Sequence, residues 1–129
     1  MTRFSSVAAV VSLLLSPDAN SAPTLAECDA FASDLNKSYP QRVDKYTTVR
    51  GTTCVQEKTR RILIYRMALE FGKSEVDSNK METNRKTQRA NWCSSPQMRP
   101  LLKLVDIRYI YFDVNGVYVT ETNHRIEDC

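Results

Sequence analysis

The spacing of apolar residues along this chain changes several times, and each change marks an element. Leu25, Cys28, Phe31, Ala32, Leu35 and Tyr39 recur at intervals of three and four, which places them on one face of a helix. Thr24 and Glu27 occupy the positions of a capping box ahead of that face, and Pro40 stops it. Residues 43–55 are rich in Thr and Val and predict a first strand, with Gly51 marking a bulge or bend. Beyond a polar turn at 56–59, Leu63, Tyr65, Met67 and Leu69 alternate with Ile64 and Arg66, the pattern of a second strand.

From Gly72 to Trp92 the chain turns polar, and only Val76, Met81, Ala90 and Trp92 are available to bury. This predicts a mostly exposed helix beginning near Ser74 with one thin apolar edge. Ser95 and Pro96 open a further short helix, which Pro100 limits to a piece ending near Leu104. Val105, Ile107, Tyr109 and Tyr111 then alternate with Asp106, Arg108, Ile110 and Phe112. Asn115-Gly116 supplies the residues of a tight hairpin turn, and residues 117–122 return. Because Ile110 and Phe112 are apolar as well, the hairpin is expected to be covered on both faces and to lie centrally. The expected fold class is α+β: an antiparallel four-stranded sheet with helices packed on it, in the order helix, strand, strand, helix, short helix, strand, strand.

The N-terminal residues follow a different plan. A single charge at Arg3 precedes an apolar run at 7–15 and a polar, turn-forming stretch at 16–22, the three-part layout of a secretory signal peptide, assigned to 1–22. The run is well short of the roughly 20 residues that span a bilayer, so no transmembrane anchor is expected. Cleavage is expected after Ser21, with Ala19 as the small residue three positions before the cut, or after Ala22. The first cysteine, Cys28, follows Glu27 far beyond the apolar run, so lipid attachment is not expected. The mature part, 23–129, is expected to form one α+β domain, monomeric and either periplasmic or secreted.

Composition narrows the function classes. Of 129 residues, 42% are hydrophobic and 26% charged, which excludes a polytopic membrane protein, a collagen and a disordered tail. The net charge of +3 is too small a surplus to imply a nucleic-acid partner. The basic runs at Lys58, Arg60, Arg61 and Arg66 and at Lys80, Arg85, Lys86 and Arg89 lack the interleaved aromatics of a base-stacking surface, so solvated faces are expected.

Export lets cysteines pair and stay paired. Cys28, Cys54, Cys93 and Cys129 form an even set without a Cys-x-x-Cys motif, and the lone His124 cannot complete a usual zinc site. Two structural disulfides and no metal or cofactor are therefore expected, with three connectivities open.

For catalysis, Glu121, His124 and Arg125 offer the carboxylate, imidazole and cation of a small exported ribonuclease. In one strand, however, Glu121 and His124 would point to opposite faces, and a lone His near a chain end is expected at a solvated edge. No Gly-x-Ser-x-Gly elbow or phosphate-binding loop is present. The expectation is a non-enzyme that binds an unknown protein partner. Tyr118, Arg99 and Arg108 are the candidate contact residues, because Tyr and Arg carry much of the energy at interfaces. Tyr109, Tyr111 and Trp92 are expected in the core and rim of the sheet.

The stretch Trp92-Cys93-Ser94-Ser95-Pro96-Gln97-Met98-Arg99-Pro100-Leu101-Leu102 carries a resemblance, as do Tyr109, Tyr111, Asp113, Gly116 and the closing Asp128-Cys129. In these residues the chain resembles the quorum-sensing-regulated virulence factor family of small exported bacterial proteins. Pro40, Val43-Asp44, Thr47 and Tyr65 agree more weakly. The resemblance implies an antiparallel sheet with helices on it and a disulfide between Cys93 and Cys129. Cys28 and Cys54 depart from the family pattern, and by elimination they would form a second bridge. The same layout is similar to that of the small pilotins of type II secretion, lipoproteins that bind a helix of the secretin subunit.

Overall fold

The computed structural model describes residues 22–129, so the expected signal peptide lies outside the described residues except for Ala22. The first helix, α1 (Leu25–Asn36), begins as its sequence dictates. Thr24 Oγ1 accepts from the Glu27 N–H at 3.1 Å, and Glu27 Oε1 accepts from the Thr24 N–H at 2.9 Å. These bonds, acting on the ionised Glu27 carboxylate, hold its pKa below the usual value. Cys28, Phe31, Ala32 and Leu35 are its buried face. The helix ends at Asn36, ahead of a cis Tyr39-Pro40 bond.

The expected single strand over 43–55 is two strands. Asp44 Oδ1 accepts from the Tyr46 N–H at 2.8 Å, and this local turn divides β1 (Gln41–Asp44) from β2 (Thr47–Glu57). β2 pairs antiparallel with β3 (Arg60–Leu69), and the register shifts between Val49 and Gly51, the bulge expected at that glycine. A Cβ on Gly51 would come within 2.6 Å of the Arg66 guanidinium, so a larger residue there would require that side chain to move.

A 3-10 turn (Lys73–Glu75) leads into α2 (Ser78–Ser94), whose N–H groups at Asn79 and Lys80 are capped by Asp77 Oδ1. The helix thus starts four residues later than expected, because the Asp77 carboxylate rather than Ser74 satisfies its first donors. Ser95 then caps a turn through the N–H groups of Gln97 and Met98. The following helix, α3 (Arg99–Leu104), carries Pro100 in its first turn; the proline starts this helix rather than limiting it. β4 (Asp106–Phe112) and β5 (Tyr118–His124) close the fold, followed by a 3-10 turn (Ile126–Asp128).

The sheet has five strands in the order β1-β2-β3-β4-β5, and β3 and β4 are parallel. This corrects the expectation of four antiparallel strands. The extra strand is β1, and the parallel pair follows from the crossover through α2 and α3, which returns the chain to the end of the sheet where β3 began. The last hairpin also differs. Its connection is not a two-residue turn but Asp113 to Val117, with Gly116 at φ 78°. The buried Asp113 carboxylate accepts from the N–H groups of Lys73, Asn115 and Val117, and these bonds, the one from Val117 foremost, hold its pKa below the usual carboxylate value. Contrary to expectation, the hairpin is not central: β5 is an edge strand with β4 next to it, and Ile110 and Phe112 are only half-buried because no helix covers their face.

The helices contribute to one core with Leu63, Tyr65, Met67, Leu69, Ile107 and Tyr111, while Ile62 and Ile64 are buried apart from it on the opposite side of β3. Two disulfides staple the layers: Cys28–Cys54 ties α1 to β2, and Cys93–Cys129 ties the end of α2 to the C-terminal residue. With sequence separations of 26 and 36, each would stabilise the fold by about 3 to 4 kcal/mol on a chain-entropy estimate.

Candidate partner-binding site

Helix α2 is the least apolar element of the core layer, and Trp92 is its only buried residue. Ala90, expected on its apolar edge, is exposed. The helix is held to the sheet by a row of polar side chains instead. Trp92 Nε1 donates to Tyr109 Oη at 2.8 Å, Gln88 Nε2 to Tyr111 Oη at 2.6 Å and Asn84 Nδ2 to the same hydroxyl at 3.2 Å. Burial pushes both tyrosine hydroxyls up from their ordinary pKa, so they remain neutral bonding groups. On β5, Gln88 Oε1 is 3.1 Å from both Thr122 Oγ1 and His124 Nε2. Arg89 reaches past the strand to donate to the Asn123 carbonyl at 2.8 Å.

His124 is therefore not the solvated edge residue expected. It is 0% exposed, because beyond the register shift near Tyr118 β5 turns Thr122 and His124 under α2. Burial, then the nearby cations of Arg89 and Arg85, push its pKa down to about 4. Glu121 is exposed and pairs with Ile110, while His124 pairs with Ile107; three residues apart, they point to opposite faces as expected. The carboxylate and imidazole do not meet, and Arg125 lies 3.6 Å from Asp106. No ribonuclease-like constellation forms from the three.

Where α2 diverges from β5, a cavity of about 370 Å³ opens, lined by Lys73, Val76, Met81, Glu82, Arg85 and residues 119–122 among others. Its floor is apolar at Val76, Met81 and Val119, and its rim is charged. Arg85 is paired with Glu82. This hollow lies directly against the edge of the sheet.

The three proposed contact residues fall outside it, in different settings. Tyr118 is 46% exposed, its hydroxyl donating to Glu121 Oε1 at 3.1 Å and its ring edge-on to Phe112. Arg108 lies across the helix-free face of the sheet, donating to both Glu57 oxygens on β2 and to Asn123 Oδ1 on β5. Arg99 donates to the Cys93 carbonyl at 2.8 Å, satisfying one of the last carbonyls of α2. The basic runs behave as structural charges in part: Arg60 holds Asp106 through two bonds, at 2.6 and 2.7 Å, and reaches Glu127 as well. Among the described residues no group of His, Cys, Asp and Glu is placed to hold a metal ion, and no helix is long and apolar enough to cross a membrane.

Sequence reasoning missed Asn84 and Gln88, and it assigned Arg89 to a solvated face, whereas Arg89 bonds the Asn123 carbonyl. The signal was present, since Met81, Arg85, Gln88 and Trp92 follow one another at helical spacing and Ala90 does not join that row.

An α-layer held on one face of a mixed sheet, with β5 left as an edge, is also the frame of proteins of known structure. The fold is similar to that of type II secretion pilotins. The pilotin EpsS of Vibrio vulnificus superposes with a TM-score of 0.62 at 13% identity, covering 81% of this chain and 90% of its own. The Vibrio cholerae pilotin AspS gives 0.57 at 11% identity, over 81% and 91%. A Pseudomonas aeruginosa protein described as secreted, PA3611, gives 0.62 at 16% identity, over 81% and 95%. At these identities the likeness is one of fold. No protein-family description and no curated protein matches the sequence.

Proposed function

We propose that this protein is a non-catalytic, exported accessory protein of the bacterial envelope or surrounding medium that binds another protein, as a pilotin partners a secretion channel. The observation that carries the reading is the hollow between α2 and the exposed edge of β5, in a fold similar to those of two pilotins and a secreted protein. Apolar floors rimmed by charge are what partner segments use. The sequence resemblance to the quorum-sensing-regulated virulence factor family supports export and suggests virulence as the setting. Tyr118 and Arg108 stand on the helix-free side of the same edge and would extend the contact.

The ribonuclease-like alternative is disfavoured by the burial of His124 and the opposite orientation of Glu121. To test the binding reading, a photo-crosslinking residue is placed at Val119 in the exported chain in living cells. One envelope protein should be captured there and not from Lys58, which is exposed in the turn between β2 and β3. Equal labelling from both positions, or none from Val119, overturns the reading.

A further inference from the structure

We propose that α2 is an acid-released lid: a second proton on the His124 imidazole unseats the helix from β4 and β5 while α1 and the rest of the sheet stay folded. The release follows from contacts within this chain, and the partner-binding reading enters only where the lid covers the hollow.

The seat of α2 is polar, unlike those of its neighbours. α1 lies on the sheet through Cys28, Phe31, Ala32 and Leu35 and through the Cys28–Cys54 bridge, and α3 buries Leu101 and Leu102. α2 buries Trp92 alone along 17 residues. Elsewhere it is held by the bonds of Asn84 and Gln88 to Tyr111, of Gln88 to Thr122 and His124, and of Arg89 to the Asn123 carbonyl. Water replaces such bonds as they break, so a seat made of them opens at lower cost than an apolar one, ahead of global unfolding. The Cys93–Cys129 bridge holds the C-terminal end of the helix, so the part that swings is the remainder, residues 78–89.

His124 sits in the middle of this seat, fully buried. Its Nε2–H donates to Gln88 Oε1, and its Nδ1 has no partner among the described residues. A second proton would have to occupy Nδ1, where nothing is placed to accept it. The surrounding charges oppose it as well. From α2, Arg89 and Arg85 repel an imidazolium; from the C-terminal turn Asp128 attracts one, but its carboxylate is 3.8 Å from Arg89. From β4, Tyr109 meets the ring edge-on at 5.8 Å, and Tyr111 shares Gln88; both hydroxyls are neutral. The closed seam therefore excludes the proton. Once α2 lifts, the imidazole meets water, leaves both arginines behind and takes the proton up, so acid draws the molecule toward the open state. With His124 titrating at about 4 when seated and at its ordinary 6.5 when released, a fall from pH 7 to 5 multiplies the open population about 20-fold.

The same motion reshapes the candidate site. Ser78, Met81, Glu82 and Arg85 of α2 form one wall of the hollow, and residues 119–122 of β5 form the other. Lifting the helix parts these walls.

The test is amide hydrogen exchange on the full, oxidised exported protein at pH 7 and 5, with rates corrected for the intrinsic effect of pH. Amides at 82–89 in α2 should exchange faster than those at 63–67 in β3 at both values, and should lose about 20-fold protection between them. His124→Gln keeps an N–H for Gln88 but cannot titrate, so its α2 amides should lose that pH dependence. Gln88→Glu leaves His124 in place and sets a carboxylate against Nε2; the closed state then retains the imidazolium, and the dependence should flatten again. Should His124→Gln fail to fold, Gln88→Glu decides. The lid is overturned if α2 amides exchange no faster than those of β3, if their corrected protection is equal at the two pH values, or if the folded variants keep the original pH dependence. Crosslinking from Val119 at pH 7 is read separately: a captured partner with any of these outcomes removes only the lid, and a lid without a captured partner removes only the binding reading.

Discussion

The Gln88 side-chain oxygen lies 3.1 Å from His124 Nε2 and, at the same distance, accepts from Thr122 Oγ1. A carbonyl oxygen only accepts, so the bond requires the His124 proton on Nε2, leaving Nδ1 a bare, buried lone pair without a partner among the described residues. The amide nitrogen of the same Gln88 holds Tyr111. One side chain thus ties α2 to both β4 and β5 at the inner end of the candidate site.

That arrangement makes the fold sensitive to mild acid. His124 titrates at about 4 in the folded protein, against an ordinary value of 6.5. As pH falls below 6.5 the unfolded chain takes up a proton that the native state does not, and the difference levels off below about 4. Stability should therefore be highest above pH 6.5 and fall by up to about 3 kcal/mol across that window. Thermal midpoints measured from pH 7 to 4 read this directly. In His124→Asn the slope should flatten, and an equal slope in that variant would refute the assignment.

Gln88→Ala removes bonds to Tyr111, Thr122 and His124 and leaves buried polar groups unpaired. The expected cost is about 2 to 3 kcal/mol, seen as a lower midpoint in urea, with exchange accelerating first at the amides of α2. Lys86→Ala, on the exposed side of the same helix, should stay within about 0.5 kcal/mol.

Arg108→Ala separates two roles. Its side chain is 16% exposed and joins Glu57, Asn123 and Glu121, and on the same face it borders Ile64, its neighbour in register. Because Glu57 is 54% exposed, the ion pair contributes little, and most of the expected loss of about 1 to 2 kcal/mol comes from packing. If Arg108 also touches the partner, crosslinking from Val119 should weaken in a variant that remains folded at the assay temperature. Undiminished crosslinking would confine Arg108 to its structural role.

Local signals carried most of the fold. The Thr24 box, the bulge at Gly51 and the alternation of β3 are each written in neighbouring residues, and each appears where the pattern puts it, whereas α1 ends at Asn36, leaving Tyr39 outside the helix it was expected to extend. The elements that differ depend on distant partners. Nothing near Leu69 or Val105 states that β3 and β4 run parallel; the crossover of two intervening helices determines it. His124 looked solvated because its burial depends on Gln88, which is 36 residues away on a helix whose polar composition gave little reason to place it over a sheet. The hollow was illegible for the same reason, since it exists only where α2 and β5 diverge.

The two disulfides should differ in their response to reductant. The pairing of Cys93 with Cys129 agrees with what the sequence resemblance implied, and Cys28 with Cys54 completes the set. Cys28 and Cys54 are buried at 1% and 7% exposure, whereas Cys129 is an exposed chain end. Because thiol exchange requires an attacking thiolate to reach a sulfur, limited reduction followed by alkylation and mass spectrometry should label Cys93 and Cys129 first. Cys93→Ser should cost roughly 2 to 5 kcal/mol, free Cys129 to form disulfide-linked dimers, and loosen the end of α2. Partner crosslinking from Val119 should then fall. If Cys28 and Cys54 are labelled first, access does not govern the order, and the more mobile layer of the molecule is α1 rather than the helix that roofs the candidate site.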